Sequence, residues 1–304
     1  MNMEWMKKQI KEPREVDNLK YLMALNPRLI PWIKNITDNY YMVERCEEIH
    51  EEDFCPANFD KLYFNFLGSL YKFRQKDFTS GIYKYFAPNS LNSKVRNQEY
   101  IPYIMAEFEE IIENVSTQVP KLLEDLTFIG LLKFLRKNSR YLKNWKPMNG
   151  YSLLHGDLHI GNIVKRNNNF LLIDFEYLRY GAVELETANL IISALIYYYK
   201  QNFNNGKQRL FELSNDYIQV VNKLPFLDTV SFQFFFIFSL SLFYLTAFLK
   251  KDKVGLESIY KIIKVSDIVR KDQKLLNYFN PLLQSIFSYP YKRGYNYFMK
   301  PCKN

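Results

Sequence analysis

Two short apolar runs near the middle of the chain, between residues 151 and 176, limit the possible folds more than any other part of the sequence. The first run includes Leu153 and Leu154, the second extends from Phe170 to Phe175, and a polar loop with three consecutive asparagines separates them. This arrangement predicts a β-hairpin. Apolar residues recur at helical spacing on both sides of it, in residues 14–25, 59–73, 101–141 and beyond Glu184. We therefore expect an α+β fold with a hairpin embedded in a mainly helical domain.

The composition excludes several classes of protein. Of 304 residues, 48% are hydrophobic and 24% are charged, which indicates a folded core rather than disorder. The three cysteines form no CxxC pair, so neither a disulfide framework nor a zinc ribbon is expected. Three histidines do not suffice for a histidine-rich metal site. The N-terminus lacks the apolar core of a signal peptide, and we expect a reducing, cytoplasmic location.

The net charge of +9 is concentrated in the last third of the chain. Residues 201–304 contain 15 Lys/Arg and 7 Asp/Glu, a balance of +8, whereas the first 200 residues are close to neutral. A basic region can bind nucleic acid, anionic lipid or an anionic substrate, but solvated helix faces are the preferred interpretation. No RNP-like or finger spacing accompanies the lysines, so we expect no nucleic-acid partner.

One uncharged stretch of 21 residues, 229–249, is long enough to span a bilayer and is followed at once by Lys250 and Lys251. It contains three serines, a glutamine and two threonines, and the chain has no second stretch of this kind. We interpret it as a buried core helix and keep a membrane span as the alternative, so membrane contact stays open.

The two arms of the predicted hairpin carry polar residues suited to phosphate chemistry. Asp157 and Asn162 follow the first apolar run, and Asp174 ends the second. Phosphoryl transfer from ATP needs an acceptor for the hydroxyl proton and oxygen ligands for a Mg²⁺ ion that bridges the phosphates. Two carboxylates and one amide oxygen in a single cleft can supply all three.

The segments HGDLHIGN, residues 155–162, and IDFE, residues 173–176, resemble the aminoglycoside phosphotransferase and choline kinase superfamily. This resemblance implies a two-lobed protein-kinase-like fold, with Asp157 as the catalytic base and Asn162 and Asp174 as Mg²⁺ ligands. It makes His155 a structural support of the loop. Glu186, in the segment GAVELETANL, stands where the family usually has Asp. His159 either contacts substrate or caps the loop, and Glu176 faces either the same polar region or solvent.

The resemblance extends into the N-terminal part of the chain. Glu15 looks like the helix glutamate that pairs with the ATP-binding lysine, which would be Lys7 or Lys8, although both lysines also fit an ordinary surface. Residues 40–46 are predicted to form a strand, and its part 41–46, which includes Glu44 and Cys46, is similar to the hinge that binds adenine through its backbone. We expect a small nucleotide-binding lobe over residues 1–47 and a helical lobe over residues 48–304, with the catalytic hairpin at 151–176.

The family places a glycine-bearing hairpin over the ATP phosphates ahead of its lysine. In this sequence no glycine precedes Gly68, and only 14 residues precede Glu15. At about 3.3 Å per residue, these residues suffice for one long strand or two very short ones. We therefore expect a reduced or absent nucleotide lid and weaker nucleotide binding.

The resemblance implies an enzyme that uses ATP or GTP with Mg²⁺ to phosphorylate a hydroxyl of a small molecule, either an amino alcohol, a sugar or an aminoglycoside-like antibiotic. The basic last third counts against a polycationic substrate. The alternative is a non-catalytic kinase-like binding protein, suggested by the missing lid. The oligomeric state is left open.

Overall fold

The computed structural model describes residues 4–10, 13–50, 53, 67–75, 99–167, 169–201, 213, 216 and 229–265. Seven α-helices lie in these ranges: α1 Pro13–Leu25, α2 Gly68–Tyr71, α3 Tyr100–Gln118, α4 Leu126–Tyr141, α5 Val183–Gln201, α6 Thr229–Leu249 and α7 Lys253–Val265. Nine short strands accompany them: β1 Trp5–Gln9, β2 Ile33–Lys34, β3 Tyr40–Glu44, β4 Glu47–Glu48, β5 Arg74–Gln75, β6 Tyr151–Leu154, β7 Ile163–Arg166, β8 Asn169–Leu172 and β9 Arg179–Gly181. The expected α+β class is confirmed.

The N-terminal part forms an antiparallel sheet of three strands in the order β1–β3–β2. Alternation along β1 places Lys7 and Lys8 on opposite faces of this sheet. Helix α1 begins with a proline at its first position and has Glu15 in its first turn, where the helix dipole favours a carboxylate. Leu19 and Leu22, on the Glu15 face of α1, are fully buried. Ahead of α1, the described part of the chain forms one strand, β1.

The predicted hairpin exists but has different strands from those expected. Its arms are β7 and β8, residues 163–172, and β4 extends their sheet. Strand β6, which was expected to be the first arm, lies instead between β5 and β9 in a separate sheet. All four residues of β6 are buried, which fits a central strand. The loop that follows β6 therefore connects two sheets.

The helical pattern predicted for residues 101–141 is two helices with a break. Pro120 starts a short 3-10 turn after α3, and Asp125 then caps α4 by accepting the Thr127 and Phe128 N–H groups at 2.9 and 3.0 Å. The strand predicted from Tyr40 to Cys46 ends at Glu44. Of the helix predicted over 59–73, residues 59–66 lie outside the described residues, and α2 covers 68–71.

The long uncharged stretch is helix α6, which packs against α4, α5 and α7. Phe235, Ile237 and Leu240 are fully buried, and the serines at 231, 239 and 241 are buried with them. Among the described residues, Ser231–Leu249 is a segment apolar and long enough to cross a membrane, yet 67% of its most apolar window is buried within the chain. Helix α6 therefore packs as a core helix in this structure, which is the interpretation preferred from the sequence. The basic residues beyond 265 lie outside the described residues.

Candidate active site

A buried histidine anchors the loop that follows β6. His155 is fully buried, and its Nε2 lies 2.8 Å from the Ile173 carbonyl oxygen. Burial lowers the pKa of His155 to about 4, so the ring is neutral near pH 7 and Nε2 donates to that carbonyl. Asp157 and Asp174 both lie close enough to raise the pKa of this ring against the effect of burial. His155 therefore connects the two aspartate-bearing segments without facing solvent.

Gly156 and Glu186 fix the backbone of the same loop. Gly156 adopts φ 88°, and a Cβ atom there would lie 1.8 Å from the Tyr177 carbonyl oxygen. Its N–H donates to Glu186 Oε1 at 2.6 Å. Burial raises the pKa of the Glu186 carboxyl to about 7, although hydrogen bonds from the Gly156 and His155 N–H groups oppose the shift. Glu186 is thus placed as a buried support of the loop.

Asp157 and Asn162 of this loop differ in their exposure to solvent. The Asp157 side chain is 52% exposed, so its carboxylate is available to a ligand. Asn162 is buried, and its Nδ2 donates to the Asp157 backbone carbonyl at 2.8 Å. This hydrogen bond uses the amide nitrogen of Asn162 and leaves Oδ1 as the atom that can bind a cation.

Asp174 lies beside Asn162 because the β7–β8 hairpin returns the chain to the loop. The Ile173 N–H donates to the Asn162 carbonyl at 3.1 Å, one residue before Asp174. Asp174 itself adopts the left-handed conformation with φ 68° and ψ 68°, which is uncommon for a residue with a side chain. Its carboxylate is 36% exposed.

Lys8 joins the N-terminal sheet to this group. Its Nζ lies 2.6 Å from Glu15 Oε1 and 3.0 Å from Asp174 Oδ1. Glu15 is buried and also accepts the Tyr41 hydroxyl at 2.7 Å. Burial, with the neighbouring Glu15 carboxylate, raises the pKa of Tyr41 and keeps its hydroxyl protonated. A lysine, a buried glutamate and a half-exposed aspartate therefore meet at one point.

The other residues predicted for nucleotide binding lie on β1, at the end of β3 and just after β3. Lys7 is exposed, with its Nζ 4.1 Å from the centre of the Tyr40 ring, so it is Lys8 that contacts Glu15. Glu44 is buried and accepts the Trp32 N–H at 3.2 Å and the Arg166 guanidinium at 2.9 Å. Cys46 Sγ lies 3.7 Å from the Glu44 carbonyl, and burial raises the pKa of its thiol to about 11.

Two residues that contact this region were missed from the sequence. Asn18 Nδ2 donates to the Phe175 carbonyl at 2.7 Å, which ties α1 to the residue after Asp174. Its position three residues after Glu15, on the same helix face, is a signal that could have found it. Arg166, at the end of β7, packs 4.7 Å from the Trp32 ring centre while it pairs with Glu44. Only the three-dimensional arrangement reveals this second link.

The residues around Asp174 fit a magnesium ion shared with phosphates. Within the described ranges no cluster of three or more His, Cys, Asp or Glu side chains could hold a metal ion by itself. One carboxylate, on Asp174, and one amide oxygen, on Asn162, are instead the kind of partial ligand set that Mg²⁺ completes with phosphate oxygens and water. The exposure of Asp174 leaves room for those additional ligands.

The remaining polar groups of residues 155–176 lie at the edge of the site. His159 Nδ1 accepts the Gly161 N–H at 3.0 Å, and its Nε2 lies 3.8 Å from Asp157 Oδ2. Glu176 is half-buried in the short 3-10 turn that follows Asp174. The Ile160 N–H donates to Ser193 Oγ at 3.1 Å, which anchors the loop to α5.

Comparisons with known proteins agree with this geometry. The model of the phosphotransferase enzyme family matches residues 102–206, which include the whole loop and hairpin. No curated protein matches the sequence significantly. Ethanolamine kinase from Plasmodium vivax is 15% identical, with 85% of this chain and 74% of that chain covered and a TM-score of 0.53. Choline kinase from Cryptosporidium parvum Iowa II is 17% identical, with 91% and 82% covered and a TM-score of 0.52.

An amicoumacin kinase in complex with AMP-PNP and Ca²⁺ also matches, at 14% identity over 86% of this chain and 80% of that chain, with a TM-score of 0.47. The family match covers about a third of the chain. The ethanolamine kinase and the choline kinase, which have the higher TM-scores, share the overall fold of this chain. The resemblance seen in the sequence is confirmed: the chain has the protein-kinase-like fold of the aminoglycoside phosphotransferase and choline kinase superfamily.

Proposed function

We propose that the protein transfers the γ-phosphoryl group of ATP to a hydroxyl of a small molecule with the help of Mg²⁺. The observation that carries this proposal is the position of Lys8, whose Nζ contacts the nearby Glu15 and also Asp174, which lies 166 residues further along the chain. A cation held between a buried carboxylate and a half-exposed carboxylate lies where the phosphates of a nucleotide would need it.

Each residue of the site has a role that follows from its position. Asp157 accepts the proton of the hydroxyl while the hydroxyl oxygen forms a bond to the γ-phosphorus and the bond to the β-phosphate oxygen breaks. Asn162 and Asp174 would hold the metal, and Lys8 would bind the phosphates, with Glu15 orienting it. When bound, Mg²⁺ supplies positive charge to the phosphate oxygens. Glu44 and Cys46 lie in the segment whose backbone would face the nucleotide base.

Several acceptors fit the proposal: amino alcohols, sugars and aminoglycoside-like compounds. Ethanolamine and choline are the first to test, since they are named by two kinases of the same fold. The HGD sequence is a departure to consider, because choline and ethanolamine kinases usually carry Asn where this chain has Gly156. The structure gives a reason for glycine here, since any Cβ atom would overlap the Tyr177 carbonyl. Both ATP and GTP belong in the assay as phosphoryl donors.

The test is Mg²⁺-dependent nucleotide consumption with this acceptor panel, compared between the wild-type protein and Asp157→Asn. We expect turnover in the wild type and a loss of at least about a hundredfold in the variant, because the hydroxyl proton then has no acceptor. Asp17→Asn makes the same change at an exposed carboxylate on α1 and should retain wild-type turnover.

Equal turnover in the wild type and Asp157→Asn would overturn the proposal. Nucleotide binding that depends on Asp174 but leads to no turnover with any acceptor would favour the alternative, a kinase-like binding protein.

A further inference from the structure

His159 is held in one tautomer by the loop that carries it. Its Nδ1 accepts the Gly161 N–H at 3.0 Å, so Nδ1 is unprotonated and the ring hydrogen is on Nε2. Gly161 lies close against the ring, since a Cβ atom there would be 3.0 Å from Cε1 and 3.1 Å from Nδ1 of His159. The imidazole is therefore fixed in both position and proton placement.

The protonated nitrogen faces the carboxylate of Asp157. His159 Nε2 and Asp157 Oδ2 are 3.8 Å apart, too far for a direct hydrogen bond but close enough for one oxygen atom to lie within about 2.7–3.0 Å of both. Both side chains are partly exposed, 37% for His159 and 52% for Asp157, so such an oxygen can enter from solvent. The pair offers one donor and one acceptor to the same small group.

We propose that His159 is a second residue of the acceptor site, and that its Nε2–H and Asp157 Oδ2 together bind the reacting hydroxyl. The hydroxyl accepts from His159 through one lone pair and donates its proton to Asp157, which leaves its other lone pair for the γ-phosphorus. An ammonium group has no lone pair to accept from Nε2–H, so the pair selects an alcohol over a protonated amine on the same molecule. This inference rests on the proposed phosphotransferase activity.

The capping and binding roles of His159 can be separated by two variants. In His159→Asn, the amide oxygen can replace Nδ1 as the acceptor of the Gly161 N–H, but no donor reaches the Nε2 position. In His159→Gln, the longer side chain can return an N–H near the Nε2 position. His50→Asn makes the same replacement at an exposed histidine outside the loop and serves as the control.

The experiment measures Mg-ATP turnover with water and with ethanolamine as acceptors, together with thermal stability and the shift caused by Mg-ATP. We expect His159→Asn to keep the stability and the Mg-ATP shift of the wild type and to lose about three- to tenfold in kcat/KM for the acceptor. His159→Gln should recover part of that loss. When His159→Asn is added to Asp157→Asn, kcat/KM for the acceptor should fall little further, because the pair is already broken.

Wild-type kcat/KM in His159→Asn would overturn the inference and leave His159 as a loop cap. Full additivity with Asp157→Asn would also overturn it. A separate readout is the nitrogen NMR spectrum of the histidine rings, which is tractable because the chain has three histidines. An Nδ1–H tautomer for His159 would contradict the inference regardless of activity. Turnover that is the same in wild type and Asp157→Asn would instead remove the proposed function itself.

Discussion

Gly156 occupies a position that only glycine can fill without moving the backbone. Its φ of 88° disfavours any side chain, and a Cβ atom would lie 1.8 Å from the Tyr177 carbonyl oxygen. We predict that Gly156→Ala lowers the free energy of unfolding by more than the roughly 1–2 kcal/mol of the left-handed backbone alone. Urea unfolding measures this. Gly150→Ala, at φ 77°, is the control for the backbone effect, and an equal loss in the two variants would contradict the contact with Tyr177.

Glu186 and His155 have opposite effects on stability as the pH changes. Folding raises the pKa of Glu186 from an ordinary value of 4.5 to about 7, so its stabilisation is complete below about pH 4.5 and is lost as the pH rises through 7. Folding lowers the pKa of His155 from 6.5 to about 4, so its stabilisation is present above 6.5 and is lost as the pH falls through 4. Between pH 4.5 and 6.5 the two effects oppose each other.

We therefore predict that Glu186→Gln makes the protein gain stability with rising pH between 4.5 and 6.5, relative to the wild type. The difference in slope should approach about 1.4 kcal/mol per pH unit, the value for one proton. Denaturant unfolding at several pH values measures it, and Glu113→Gln, at an exposed carboxylate on α3, should leave the slope unchanged. Parallel curves for Glu186→Gln and wild type would show that Glu186 is ionised in the folded protein.

Helix α1 supports the segment that contains Asp174 through two of its residues. Glu15 of α1 pairs with Lys8 of β1, whose Nζ reaches the Asp174 carboxylate, and Asn18 of α1 donates to the Phe175 carbonyl at 2.7 Å. We predict that Asn18→Ala lowers the free energy of unfolding by about 1 kcal/mol, because a half-buried carbonyl loses its donor, and weakens Mg-ATP binding. Calorimetric titration with Mg-ATP tests the second effect. Asp17→Ala changes the neighbouring exposed position and should alter neither property; unchanged binding in Asn18→Ala would mean that α1 does not support Asp174.

Helix α6 is predicted to stabilise the fold through its aromatic residues. Phe235 is fully buried, and its ring centre lies 5.3 Å from that of Trp145 and 6.2 Å from that of Tyr100. Phe235→Ala should cost about 3–5 kcal/mol of unfolding free energy, as expected for an aromatic residue removed from a packed core. Thr246→Ala, at an exposed position of the same helix, should cost well under 1 kcal/mol. Similar melting temperatures for the two variants would contradict a core position for α6.

The sequence predicted elements that depend on local patterns better than pairings between distant segments. The apolar run of α6 and the β7–β8 hairpin have clear local signals, and both are present. Strand β6 was assigned to the hairpin because the adjacent apolar run was its nearest partner in sequence. Its true partners are Arg74–Gln75 and Arg179–Gly181, which are too short to produce a strand pattern of their own. Non-local pairing of this kind is not readable from periodicity.

At the scale of the whole molecule, the N-terminal part of the chain is joined to residues 155–176 at several points. Lys8 reaches Asp174, Arg166 reaches Glu44, and β4 pairs with β7. The sequence motifs predicted that Asp157, Asn162 and Asp174 act together, and the structure gathers them around one loop. The motifs did not select between Lys7 and Lys8, because that choice depends on which face of β1 packs against α1.

The most direct test of this account is a thermal melt of the protein with and without ATP and Mg²⁺. A ligand that binds only the folded state stabilises it by RT ln(1 + [L]/Kd), about 2.7 kcal/mol at a hundredfold excess over Kd. We predict an upward shift that requires Mg²⁺ and disappears in Asp174→Ala. No shift at millimolar ATP, or an equal shift in Asp174→Ala, would contradict a metal–nucleotide site at Lys8, Asn162 and Asp174.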